Sequence, residues 1–459
     1  MATIRKRGET YQIRVSSGYD SSGKQIIKTK TWKPLPGMTP KQIEKELSKQ
    51  AVLFEQQVET GQFLDGTITL AEFADKWFKE YAEKHLKEKT LTGYRDIMPR
   101  ITNAMGHIRL AKLQPHHLIE FYNNLAEKGQ RQDIKYKPCE DFKEILKKKR
   151  MSQAELARKA GVSTKCVASC VHGQNVAQGT AEKITSALKR KNLFIPVDAD
   201  AVLSGSTIAK YHRLLSTICT TAVQWQVIPS NPCSRVKPPH AENKEAPVLD
   251  DVQVQQLIEC LNDEPLKYKT AIMLILYTGL RRGELCGLEW DDVDFKNEVI
   301  HITKELLYTP NRGVFEDTTK SKRSQRVIKI PSDMITLLKH YKAEQSRQRL
   351  MYGDYLQNCN KIFTSDKGGP IHPDSLSGWY SKFIKRHGLP DSHIHTLRHV
   401  SATLLIAGGV DIATVSNRLG HANTSTTLNI YTHAIQSADA IAAEKLQNIL
   451  SPAQNYNAG

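Results

Sequence analysis

Six polar residues in the second half of the chain fall in an order that suits one kind of chemistry: Arg281, Lys320, His395, Arg398, His421 and Tyr431. Arg281 opens a helix start in TGLRRGELCGLEW, just after Gly279, with Glu284 one turn on. Lys320 lies in TTKSKRSQRVIKIP, before a strand pattern. His395 and Arg398 sit in HIHTLRHVSATLL, spaced to share one helical face. His421 follows Leu-Gly, and Tyr431 sits in NIYTH. Singly, each has an ordinary explanation. Arg281 and Glu284 suit a surface ion pair worth well under ~1 kcal/mol. Lys320 belongs to a basic run, which is usually a solvated face, and His395 suits a structural histidine. Tyr431 suits the rim of a core, where the ring is buried and the hydroxyl stays wet. Together they supply what attack by a tyrosine on a phosphodiester needs. Two arginines grip the non-bridging oxygens through fixed forks of N–H donors. A lysine protonates the leaving oxygen, a histidine accepts the tyrosine proton, and the tyrosine forms a covalent ester.

The chain that must position these groups has 459 residues, enough for two to four domains. Charged residues make up 25% and hydrophobic ones 39%, an ordinary soluble composition. The net charge of +17 favours a polyanionic partner, nucleic acid before an anionic membrane. No apolar run approaches the roughly 20 residues needed to span a bilayer, and MATIRKRGETY has no signal-peptide segment. The eight cysteines are scattered without a CxxC pair, as expected of reduced thiols in the cytosol. There is no P-loop and no HExxH, so neither a cofactor nor a metal is expected. The acids of DDVD (291–294) read as ordinary loop acids rather than a metal site.

Residues 2–32 read as short strands around YQIRVS and KQIIKTKTW, and Lys28 and Lys30, two apart, share a face. Residues 40–60 read as a helix with Ile43, Leu47, Phe54 and Val58 on its apolar stripe. A small basic sheet backed by one helix suits a module that reads a DNA groove with strands, Lys28 and Lys30 being its candidate contacts, and equally a plain β-hairpin ornament. Residues 66–132 look all-helical, and the pattern resumes at SGSTIAKYHRLLSTICTTAVQWQVI. A Pro-rich, charged stretch then reads as a linker before the largest block, 247–450. Past Tyr431, IQSADAIAAEKLQNIL places Ile435, Ala438, Ile441, Ala442, Ile449 and Leu450 largely on one helical stripe.

Residues 139–195 differ in character from their surroundings. Ser152 and Glu155 form an S-x-x-E capping box that opens a helix, Gly161 ends it, and Ser163 caps the next. Leu156, Val162 and Val167 supply contacts between the two helices. The stretch resembles the Cro/repressor helix-turn-helix. That resemblance implies a second helix entering the major groove by its N-terminal end, with Thr164, Lys165 and Ala168 facing the bases. The same packing also serves a helical hairpin that touches no DNA.

TGLRRGEL, HTLRHVSATLL, LGHANTSTTLNIYTH and the basic hairpin around Lys320 make residues 247–433 resemble the catalytic domain of the tyrosine recombinases, the phage-integrase family. Residues 66–132 with 203–240 resemble that family's helical core-binding domain, and 2–60 its arm-binding module. The resemblance implies Tyr431 as nucleophile, Arg281 and Arg398 on the scissile phosphate, and His395 as acid/base partner. It implies His421 donating to a phosphate oxygen and Lys320 as general acid, with Lys322 the alternative lysine. Glu284 then buttresses Arg281.

The expected fold is multidomain and mainly α with small β-sheets. It has an arm-type module over 1–64 and a helical core-binding domain over 66–240, interrupted by the insert at 139–195. A linker spans 241–246, and an α+β catalytic domain with a tail helix spans 247–459. The implied function is site-specific recombination for a mobile element, integration and excision through a 3′-phosphotyrosyl intermediate. Its alternatives are a non-catalytic DNA-binding regulator and a type IB topoisomerase-like relaxing enzyme. The implied partners are double-stranded attachment-site DNA, three further copies in a homotetramer, and an excisionase or host DNA-bending protein, in the bacterial cytoplasm.

Overall fold

A computed structural model describes residues 2–19, 22–59, 67–131, 133–198, 200–239, 249–318, 324–421, 423–424 and 427–428. The chain separates into two units, residues 1–243 and 244–459. Among the described residues no helix is long and apolar enough to cross a membrane.

The alternation in YQIRVS becomes β2 (Thr10–Tyr19), paired antiparallel with β1 (Thr3–Arg7) and β3 (Gln25–Trp32). Helix α1 (Pro40–Glu59) covers one face, where Ile13 and Val15 meet Leu47, Phe54 and Val58. Lys30 lies opposite Ile13 and Lys28 opposite Val15, so both lysines fall on the face that α1 covers. Lys30 Nζ there donates to Gln50 Oε1 of α1 at 3.0 Å. The other face carries two polar rows: Thr3, Arg14 and Thr29, then Arg5, Gln12 and Thr31. Arg5, Arg7 and Arg14 are all exposed.

The next core is helical. Helix α2 (Leu70–Trp77) opens on a Thr69–Glu72 capping box and runs through a π-type turn (Phe78–Ala82) into α3 (Glu83–His85). Helices α4 (Glu88–Met105) and α5 (Pro115–Leu125) follow. Their buried faces include Phe73, Trp77, Ile101 and Leu118. These pack with Leu214, Leu215 and Ile218 of α10 (Gly205–Gln224), beyond the insert. Trp77 Nε1 donates to Thr221 Oγ1 at 3.0 Å, joining α2 to α10 across the interruption.

The insert builds its own core from Phe142, Ile145, Leu156, Val167, Ile184 and Leu188. Its elements are β4 (Lys135–Pro138), α6 (Phe142–Lys148), α7 (Gln153–Ala160), α8 (Thr164–Val171), β5 (Val176–Ala177), α9 (Gln178–Leu188) and β6 (Phe194–Val197). β4 is the central strand, between β5 and β6. Lys135 lies opposite Val197, so the chain enters and leaves the insert on paired strand ends. Ser152 Oγ accepts the Glu155 N–H at 3.1 Å, and only this half of the expected capping box forms. Gly161 takes φ +63°, a left-handed turn that a β-carbon disfavours. Ser163 caps α8, leaving Thr164 and Lys165 exposed at its start and Ala168 half-buried.

In the second unit, α11 (Asp251–Cys260) precedes α12 (Leu266–Thr278), whose Ala271, Ile272, Leu274 and Ile275 are all buried. A helix apolar on nearly every side belongs inside a domain. Then come α13 (Arg282–Gly287), β7 (Val293–Asp294), β8 (Val299–Ile302), the hairpin β9 (Lys304–Thr309) and β10 (Gly313–Thr318), and β11 (Arg326–Lys329). β8 pairs between β11 and β7. Helices α14 (Ser332–Tyr352), α15 (Pro373–Arg386), α16 (Ile394–Ala407) and α17 (Ile412–Leu419) complete the described part. Two of the DDVD acids serve local turns, Asp292 accepting the Glu289 N–H and Asp294 the N–H groups of Lys296 and Asn297, while Asp291 accepts from Asn360 Nδ2 at 2.7 Å. Lys320, Lys322, Tyr431, the 241–246 linker and the tail lie outside the described residues.

Candidate active site

Arg281 is the N-cap of α13, and its environment follows from that position. Its backbone N–H donates to Glu284 Oε2 at 3.0 Å, and its Nη1 to Glu284 Oε1 at 2.6 Å. The expectation that Glu284 buttresses Arg281 is met by both contacts. Arg281 Nη2 then reaches Gly420 O at 3.0 Å.

Arg398 projects from α16 and is 1% exposed. A buried guanidinium is costly unless its donors are used. Here Nη1 donates to Gly279 O at 2.5 Å and Nη2 to Leu419 O at 2.7 Å. Both acceptors close helices, α12 and α17, and so lie at negative dipole ends. Both of these acceptors are carbonyl dipoles, which satisfy N–H donors while the guanidinium stays charged.

The sequence reading did not find Arg326. On β11, 7% exposed, it donates Nη1 to Glu284 Oε1 at 3.2 Å and Nη2 to Oε2 at 2.9 Å. Its Nε donates to Arg418 O at 2.6 Å. Three consecutive carbonyls at the end of α17, those of Arg418, Leu419 and Gly420, therefore each accept from an arginine on a different element. Burial opposes ionisation of Glu284, but the hydrogen bonds and charge of Arg326 and the charge of Arg281 outweigh it. They hold the carboxyl below the usual carboxylate range. No local motif marks Arg326; the only signal was a fourth basic residue, after Lys320, Lys322 and Arg323, placed at the start of a strand.

His421 follows the left-handed Gly420 (φ +67°) that ends α17. Its N–H donates to Ser416 O, and its Nδ1 lies 2.8 Å from Thr427 Oγ1. When Thr427 donates to Nδ1, the ring proton sits on Nε2. Burial first, then the charges of Arg398 and Arg281, push His421 down to about 4. His395, on α16 with Arg398, is pushed down to about 4, first by the protein packed around it and then by the charges of His399, Arg398 and Arg281, although the residue keeps an exposed edge. His399 stands edge-on to His395, ring centroids 5.1 Å apart, and is lowered by burial and by Arg398.

Four predicted residues, Arg281, His395, Arg398 and His421, thus gather with Glu284 and Arg326 at the end of α17. The cluster brings cationic N–H donors together with imidazoles that are neutral at pH 7. Among the described residues no group of His, Cys, Asp and Glu is arranged to hold a metal ion. Lys28, Lys30, Thr164 and Lys165 belong to the other unit.

Comparison with known proteins gives this arrangement its class. Residues 247–437 match the Phage integrase family, and residues 69–126 match its N-terminal SAM-like domain. A XerC-like tyrosine recombinase of Caldanaerobacter subterraneus subsp. tengcongensis is 34% identical over 264 residues, 54% of this chain and 67% of the relative. The ICEBs1 integrase of Bacillus subtilis is 29% identical over 248 residues, 54% of this chain and 67% of the relative. The Tn1549 transposon integrase, solved with a circular intermediate DNA, shares the fold at a TM-score of 0.56. It has 18% identity, and the match covers 83% of this chain and 100% of that one. The chain belongs to the phage integrase family of tyrosine recombinases. It is a site-specific recombinase.

Proposed function

We propose that this recombinase cuts and rejoins double-stranded attachment-site DNA through Tyr431. The Tyr431 oxygen attacks the scissile phosphorus and forms a 3′-phosphotyrosyl ester, while the 5′-oxygen leaves with a proton from Lys320. Arg281 and Arg398 bind the non-bridging oxygens, His421 donates to one of them, and His395 accepts the tyrosine proton. The ester keeps the energy of the broken bond, so rejoining needs no ATP. The observation that carries this reading is the convergence of Arg281 and Arg398 on the end of α17, beside two imidazoles that are neutral at pH 7.

The domains divide the work as follows. The arm module (1–64) reads accessory DNA with its sheet. Its bare face, with Arg5, Arg7, Gln12 and Arg14, is better placed for a groove than Lys28 and Lys30, which lie on the face that α1 covers. The core-binding domain (66–240) and the catalytic domain (247–459), joined by the 241–246 linker, hold the cleaved site. The insert adds a further DNA contact through Thr164 and Lys165. Support for that comes from their exposure and from fourteen Lys and Arg against five Asp and Glu over residues 135–197. Four protomers act on bacterial cytoplasmic DNA, linked by the tail after Tyr431, with an excisionase or host DNA-bending protein setting direction.

The test is to trap the protein on DNA from cells carrying the element, denature, and sequence the attached strand. Adducts mapping to one junction, through a phosphotyrosine at Tyr431, support the reading. Adducts scattered over the genome would favour a relaxing enzyme, and their absence a regulator.

A further inference from the structure

We propose that Arg326 is a positioning residue for the recombinase reaction, setting Arg281 through Glu284 and locking both to the end of α17. The inference rests on the assignment of Arg281 to the scissile phosphate. Glu284 is 2% exposed and lies between two arginines: Arg281, on the same helix start, and Arg326, on β11. Arg326 meets both carboxylate oxygens with a fork of two N–H donors, which fixes the carboxylate plane as well as its charge. Glu284 in turn holds Arg281 at its backbone N–H and at Nη1. The orientation of Arg281 is therefore inherited from Arg326 through one buried carboxylate.

The third donor of Arg326 extends the control. Nε engages Arg418 O, next to the Leu419 and Gly420 carbonyls that receive Arg398 and Arg281. A strand residue thus fixes the helix end against which both phosphate-binding arginines rest. Space confirms the fit. A β-carbon at Gly420 would lie 2.9 Å from Arg326 Nη1, so the chain passes the guanidinium as closely as a side-chain-free residue allows. Arg326 is buried beneath the site and acts on the phosphate through other groups.

The test is a double-mutant cycle on full-length protein with Arg326→Met, Glu284→Gln and the pair. The probe is a nicked duplex made to the junction sequence recovered by trapping, and the readouts are single-turnover cleavage, DNA affinity and DNA-free melting. Cleavage by the unaltered protein checks the underlying recombinase assignment separately. Arg326→Met should slow cleavage by about ten- to a hundred-fold, less than the direct loss of a preorganised donor, with affinity changed less than about two-fold. The pair should be slower than Glu284→Gln alone, but by less than the full Arg326→Met factor, because the part of Arg326 that acts through that carboxylate is already lost and only its bond to Arg418 O remains to lose. Arg326→Lys, which keeps the charge but not the fork, should recover only part of the rate. If Arg326→Met melts too low to assay, Arg326→Lys carries the same cycle. Losses that multiply in the pair, or full activity in Arg326→Lys, would overturn the proposal.

Discussion

Arg281 and Arg398 donate to the carbonyls of consecutive residues, Gly420 and Leu419, although they start on different helices. The two guanidinium groups are held by one helix end before any substrate arrives. Preorganisation of this kind spares reorganisation at the moment of reaction. The two arginines are nonetheless held differently, and their variants should separate.

Arg281 is half-exposed, while Arg398 is buried. Arg281→Ala should cut single-turnover cleavage by about 10²–10³ while lowering the melting temperature less than Arg398→Ala does, because Arg326 still holds both oxygens of Glu284. Arg398→Ala should lose cleavage too, and also stability, because the Gly279 and Leu419 carbonyls lose their donors at about 1–3 kcal/mol each. Equal melting curves for the two variants would contradict this difference.

Tyr431→Phe should bind DNA with unchanged affinity and form no covalent adduct, since only the attacking oxygen is lost. A nicked trapping substrate run on a denaturing gel reads this directly. A protein–DNA band that persists in the variant would assign the attack to another residue.

His395 and His421 give the folded second unit an acid sensitivity of definite sign. Both are pushed to about 4, against 6.5 for an unperturbed imidazole. Between those values the unfolded chain binds protons that the folded chain does not, so the stability they contribute is present above pH 6.5 and is lost as pH falls toward 4. The DNA-free melting temperature should be lower at pH 5 than at pH 7, and the drop should shrink in the His395→Gln, His421→Gln double variant. An undiminished drop would place the acid sensitivity elsewhere.

Replacing residues 135–197 by a short flexible linker should shrink the DNA footprint and spare cleavage on the bare core site. The paired ends of β4 and β6 make such a deletion geometrically mild. Thr164→Ala with Lys165→Ala should weaken the outer footprint alone. A footprint unchanged by both alterations would make the insert a structural or protein-docking element.

Much of the site was legible because its motifs are local. Arg281 with Glu284, and His395 with Arg398, lie one helical turn apart, so helical spacing brings each pair together in any context. The caps at Ser152 and Ser163 and the turn at Gly161 were legible for the same reason. What the chain alone did not disclose depends on contacts between distant elements. Period-two spacing placed Lys28 and Lys30 on one face of their strand, but which face α1 covers is decided by Ile13 and Val15 on the neighbouring strand. Arg326 reaches Glu284 across 42 residues of chain because β11 passes beside the start of α13 and the end of α17. Sequence determined which residues can do the chemistry, since residue type and short spacing are local properties. Tertiary structure decided which buried charge holds them in place, since a carboxylate shared by two arginines exists only where packing brings the three together.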